Sequence, residues 1–90
     1  MALFDLLGRR WVLRILWELR NDPLTFRALR EAAQQVSPSV LNQRLAELRE
    51  AHLVDTQDEG YALTLLGRDL LKALAPALRW AERWEREGGR

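Results

Sequence analysis

Ninety residues, 48% of them apolar and carrying a net charge of +1, suffice for one small domain with a single core and leave no room for a second. The absence of cysteine excludes disulfides, thiolate metal sites, cysteine nucleophiles and thiol redox sensing. No apolar run approaches the roughly 18 residues of a membrane span and no signal-like segment opens the chain, so a soluble, cytoplasmic protein without a membrane partner is expected.

Charge is unevenly spread along the chain. Residues 1–20 carry Arg9, Arg10, Arg14 and Arg20 against Asp5 and Glu18, whereas residues 53–60 carry only Asp55, Asp58 and Glu59. Ala2 to Leu7 is a short apolar arm ended by Gly8, and its Leu3, Phe4, Leu6 and Leu7 are too many for a solvated tail. Arg9 to Arg20 reads as a helix, with Trp11, Val12, Ile15, Leu16 and Leu19 at helical spacing, and Pro23 forbids its continuation. Leu24-Thr25 is either a strand stub or the cap of the next helix. Phe26 to Ala33 and Pro38 to Ala51 are two amphipathic runs separated by Gln34-Gln35-Val36, a connector too brief for anything but a tight corner. The second run has a strong start: Ser37 caps it and Pro38 takes the first helical position, where a missing N–H costs nothing. His52 stands where a helix commonly ends in a left-handed residue.

Leu53 to Thr56 and Tyr61 to Thr64 have strand-like content and flank Gln57-Asp58-Glu59-Gly60, a short hairpin with a turn glycine. Thr64 then caps a helix running through Leu70, Leu71 and Leu74 to Pro76, where a kink or break is expected. A last helical piece carries Leu78, Trp80 and Trp84 and ends at Gly88-Gly89. The order helix, helix, helix, hairpin, helix is a mostly α fold with a small β-hairpin, the winged helix-turn-helix plan. It occupies residues 1–90 as a single domain, with an N-terminal arm at 1–8, the helix-turn-helix at 25–52, a short wing at 53–64 and C-terminal helices at 65–87.

Within that plan run Leu7-Gly8-Arg9-Arg10-Trp11-Val12-Leu13, Phe26-x-x-Leu29, and Val36-Ser37-Pro38 followed by Leu41, Arg44-Leu45, Leu48 and Leu53-Val54. Tyr61-x-Leu63-Thr64-x-x-Gly67-x-x-Leu70 and Trp80 complete the series. In order and spacing this resembles the HxlR-type transcriptional regulators, which are related to the MarR group, over nearly the whole chain. The resemblance implies a dimeric bacterial DNA-binding repressor or activator that pairs through its terminal helices. The chain departs from the pattern in its minimal acidic wing, in His52 where glycine is favoured, and in Ser39 where a basic residue is common. Asp58 and Glu59 are repelled by phosphates within a Debye length of about 8–10 Å.

On a wheel centred on Leu41, Leu45 and Leu48, the outward face carries Ser39, Gln43, Ala46, Glu47 and Glu50, flanked by Val40, Asn42 and Arg44. Asn42 or Gln43 has the donor–acceptor pair that matches adenine, Arg44 matches guanine or a phosphate, and Ser39 bonds either. Ser37 and the free amides beside it suit a phosphate, as do Arg9, Arg10 and Arg27. Read blandly, the same residues are the solvated face of a packing helix. Trp80 and Trp84 lie one turn apart, and pairing of the last helix with the apolar arm across a two-fold axis would bury them. Leu3, Phe4, Leu7, Leu78, Trp80 and Trp84 are therefore the candidate dimer seam, setting two recognition helices about 34–36 Å apart on a palindromic duplex. Two functions stay open: a sequence-specific DNA-binding regulator acting as a homodimer, and a winged-helix interaction or dimerisation module that has lost DNA binding. No catalytic constellation, metal-ligand spacing or cofactor motif is found, so neither an enzyme nor a cofactor is expected. Any small-molecule effector has to act without thiol chemistry.

Overall fold

The helical stretches around residues 12–19, 26–33 and 38–50 pool their apolar faces in a common core. Val12, Ile15, Leu16 and Leu19 meet Leu29 and Ala33, then Leu41, Leu45 and Leu48, and Val36, Leu53, Val54 and Leu63 close the cluster. Burying each such leucine stabilises the fold by about 1.5–3 kcal/mol before entropy is counted. No polar or charged residue is buried among the described residues. The computed structural model describes residues 1–58 and 60–89. Its elements are α1 (Ala2–Leu7), α2 (Val12–Glu18), α3 (Phe26–Ala32), α4 (Pro38–Glu50), β1 (Val54–Gln57), β2 (Gly60–Leu63) and α5 (Leu65–Arg86). This is a mostly helical winged helix-turn-helix with a two-stranded antiparallel wing. No helix among the described residues is long and apolar enough to cross a membrane.

Two expectations are corrected by the chain path. The helix expected from Arg9 to Arg20 is shorter, because Trp11 adopts a left-handed backbone (φ 79°) and serves as the N-cap of α2. Residues 8–11 instead turn a corner between α1 and α2. Nor does the last helix break at Pro76: α5 continues through it for 22 residues. Proline removes one backbone donor and crowds the preceding turn, yet Pro76 is solvent-exposed, where water can satisfy the freed carbonyl.

The wing pairs Val54 with Leu63, Asp55 with Ala62, Thr56 with Tyr61 and Gln57 with Gly60. Leu24 joins it as a one-residue third strand, exchanging backbone hydrogen bonds with Tyr61 at 3.0 and 2.8 Å. Thr25, next in line, accepts the Ala28 amide at 3.0 Å, so this dipeptide is both the strand stub and the helix cap. Gly60 is required by that closeness, since a β-carbon there would overlap the Leu24 carbonyl. Gly67 plays the same part in the first turn of α5, where the Leu53 carbonyl occupies the place of a side chain. Thr64 completes the junction: its hydroxyl accepts the Gly67 amide at 3.0 Å and donates to the His52 carbonyl at 2.6 Å. His52 itself is left-handed (φ 62°), as its place at a helix end demands.

Candidate nucleic-acid interface

The corner between α3 and α4 decides how α4 is presented. Gln34 and Gln35 are consecutive left-handed residues (φ 59° and 66°), a conformation costing about 1–2 kcal/mol per non-glycine residue. Arg30 holds it, its Nε donating to the Val36 carbonyl at 2.7 Å, while the Gln35 amide reaches the Arg30 carbonyl at 2.9 Å. The sequence offered no sign of this clip, because an arginine six residues ahead of its acceptor matches no recurring spacing.

Ser37 then caps α4 with an extended backbone, its Oγ accepting the Val40 amide at 3.2 Å. Pro38 has no N–H to offer, which leaves the Ser39 amide as the unfilled donor of the first turn. Ser39, Asn42, Gln43 and Ala46 are all exposed, so the first half of α4 shows a neutral face of hydrogen-bonding side chains around one small residue. Val40 is half-buried against the core. Arg27 projects from α3 with 92% of its side chain exposed, 3.4 Å from Glu31. A pair so solvated is weak, and the guanidinium keeps its reach toward an anion.

Arg44 and Glu47 sit elsewhere than the helical wheel places them. Arg44 is only 18% exposed; its Nε donates to the Arg10 carbonyl at 3.0 Å and its Nη1 to both oxygens of Glu47 at 3.0 and 3.2 Å. Arg9 completes the cluster from the α1–α2 corner, with Nη1 3.1 Å from Glu47 Oε2. Partial burial acts to raise the Glu47 pKa, but hydrogen bonds from Arg9 and Arg44, and the charges of both, outweigh it and hold the carboxyl below its ordinary value of 4.5. Glu47 therefore takes no part in the outward face, and the acid left on that side of α4 is the exposed Glu50. Arg10 lies with its guanidinium 5.4 Å over the Trp11 ring.

The other candidate residues divide in two. Leu7 and Leu78 are half-buried in their own chain, whereas Leu3, Phe4, Trp80 and Trp84 are exposed. Trp80 and Trp84 stack on one another with centroids 5.7 Å apart and planes 10° from parallel. The wing tip shows exposed Asp58; Glu59 lies outside the described residues. Among the described residues no group of three or more histidine, aspartate or glutamate side chains is placed to hold a metal ion.

A capped, outward-facing second helix, a clipped corner before it and a hairpin and long helix after it define a winged helix-turn-helix DNA-binding protein. The family model described as HxlR-like helix-turn-helix matches residues 6–88, and the chain belongs to that family. It is 33% identical over 87 residues to the helix-turn-helix transcriptional regulator YvaP of Bacillus subtilis, covering 89% of this chain and 81% of that one. Quinone-bound YodB of Bacillus subtilis superposes with a TM-score of 0.84 at 32% identity, over 91% of this chain and 93% of that one. A Thermoplasma volcanium protein described as a possible HxlR family transcriptional factor gives 0.86 at 25% identity, over 96% and 84%. The family consists of transcriptional regulators rather than enzymes, and this chain is a DNA-binding regulator of that kind.

Proposed function

We propose that the chain is a sequence-specific regulator that binds a palindromic duplex as a homodimer, with α4 in the major groove. The observation that carries this reading is the neutral, exposed face of Ser39, Asn42, Gln43 and Ala46 on a helix whose first turn is capped and backed by a rigid corner. Asn42 and Gln43 supply the paired donor and acceptor that suit adenine, and Ala46 lets the helix sit close to the base edges. The Ser39 amide, Ser37 and Arg27 take phosphates and set the register. Arg44 is spent on Arg10 and Glu47, and Val40 on the core, so both serve the scaffold rather than the groove. The short acidic wing stays clear of the backbone.

Pairing through α1 and the end of α5 covers Leu3, Phe4, Trp80 and Trp84. Two-fold symmetry then sets half-sites about 34–36 Å apart, one turn of the duplex. YodB is known in a quinone-bound state, but a chain without cysteine has no thiol for a quinone to add to. Any effector of this chain accordingly acts without thiol chemistry.

A salt-titrated binding assay on random duplex and on DNA flanking the protein's own gene tests the reading. Steeply salt-dependent binding by dimers, tighter on the flanking fragment, supports it; no binding at low salt turns the surface over to protein partners. Within a specific complex, Gln43→Ala should cost about 1–3 kcal/mol and relax preference at one base position, while Arg27→Ala should weaken binding to every sequence alike.

A further inference from the structure

Among the described residues, the carboxylate of Glu47 ties the recognition helix to the α1–α2 corner by charge. It takes Arg44 of its own helix through two hydrogen bonds and Arg9 of the α1–α2 corner through a third contact at 3.1 Å. Arg44, so oriented, reaches on to the Arg10 carbonyl. Both arginines are thereby aimed from one anion, and the corner they grip carries the left-handed Trp11. Leu6 and Leu7 add apolar contact to the core, and beside the charged cluster an open groove of about 500 Å³, lined by Ala2, Asp5, Leu6, Arg9, Glu47 and Glu50 among others, runs between α1 and the end of α4.

We propose that Glu47 is a positioning residue for base readout. By holding Arg9 and Arg44 on one carboxylate it fixes the rotation of α4 against the α1–α2 corner, so that Asn42 and Gln43 meet the correct base edges although Glu47 touches no DNA. The inference rests on the sequence-specific reading above. One Arg44 nitrogen meets both Glu47 oxygens while Arg9 approaches one of them from another element, so charge-assisted contacts from two directions fix where the carboxylate sits, and base contacts tolerate little misplacement. The corner that this carboxylate grips follows directly on the arm that forms the proposed dimer seam.

A purely electrostatic role makes the opposite prediction. Removing a negative charge from a DNA-facing helix should tighten binding to all duplexes together. Glu50→Gln provides that control, one turn further along on the exposed side. The experiment measures affinity for the tightest sequence selected from a random pool by the wild-type protein, and for unrelated duplex. Glu47→Gln is expected to lower the ratio of the two by about tenfold, the loss of one good base contact, while Glu50→Gln tightens both and leaves the ratio unchanged. Arg9→Gln should lower the ratio as well, and have no further effect on it when combined with Glu47→Gln. Being half-exposed, Arg9 also supplies a variant that folds should Glu47→Gln not, with circular dichroism as the check. If the wild type discriminates and both variants keep its ratio, the positioning role is overturned alone. If the wild type does not discriminate at all, the sequence-specific reading falls and this one with it.

Discussion

Leu41 and Leu45 on α4, and Trp80 and Trp84 on α5, are the same pattern: two large apolar residues four positions apart on one face of a helix. The leucines are at most 2% exposed, the tryptophans 53% and 45%. Periodicity marks a face as apolar but does not say what covers it. For α4 the cover is the chain's own α2 and α3, brought over by the clipped corner. For the distal half of α5 too little of a 90-residue chain is left to do the same, and the indoles cover one another instead.

The contrast is broken most severely at its closed end. Leu45→Ala, at a fully packed position, should lower the unfolding free energy by about 2–5 kcal/mol in denaturant titration. A loss under about 1 kcal/mol would mean that the helix-turn-helix core collapses around the gap. At the open end the same truncation should act on association. Trp84→Ala is expected to raise the dimer dissociation constant about tenfold or more by sedimentation, with little change in the stability of the single chain. An unchanged constant would remove the aromatic pair from the seam.

A smaller effect lies between the two regions, at Glu47. Its folded pKa is depressed, so the contribution is fully present above the ordinary value near 4.5 and is lost as pH falls through the lower folded value. Stability curves should therefore steepen below about pH 4.5 in the wild type, and that part of the slope should vanish in Glu47→Gln. The smallest effect belongs to the corner. Gln35→Gly relieves a left-handed residue and should add about 0.5–1 kcal/mol, less whatever the greater freedom of glycine in the unfolded chain takes back. A net loss would show that the Gln35 side chain contributes a contact worth more than the backbone strain.

Most of the fold was legible from residues that act on their immediate neighbours. Ser37-Pro38 announces α4, Thr64 with Gly67 announces α5, and Pro23 closes the stretch before Leu24. What escaped acts over distance or against local preference. Arg44 and Glu47 read as outward because a wheel knows only one helix; their partners Arg9 and Arg10 enter from a corner more than thirty residues upstream. That corner was itself hidden, since tryptophan gives no sign that it adopts φ 79°. The candidate reading face was legible in part: Ser39, Asn42 and Gln43 lie exposed as the pattern suggested, whereas Arg44 and Val40 do not stand free. Pro76 was misjudged because the penalty for proline in a helix says nothing of how well water meets the orphaned carbonyl.

That proline has one more consequence. In α5 the ladder of backbone bonds lacks the rung that would join residue 76 to the carbonyl of Lys72, so the helix is a single rod in shape but two segments in cooperativity. The part from Gly67 to Ala75 is clamped by Thr64, Gly67 and the root of the wing, and its amides should exchange with solvent more slowly than those beyond Pro76. The part carrying Trp80 and Trp84 can unwind without disturbing it. In a hydrogen-exchange experiment the two halves should therefore keep different clocks, and a partner seated on the tryptophans should slow only the faster one.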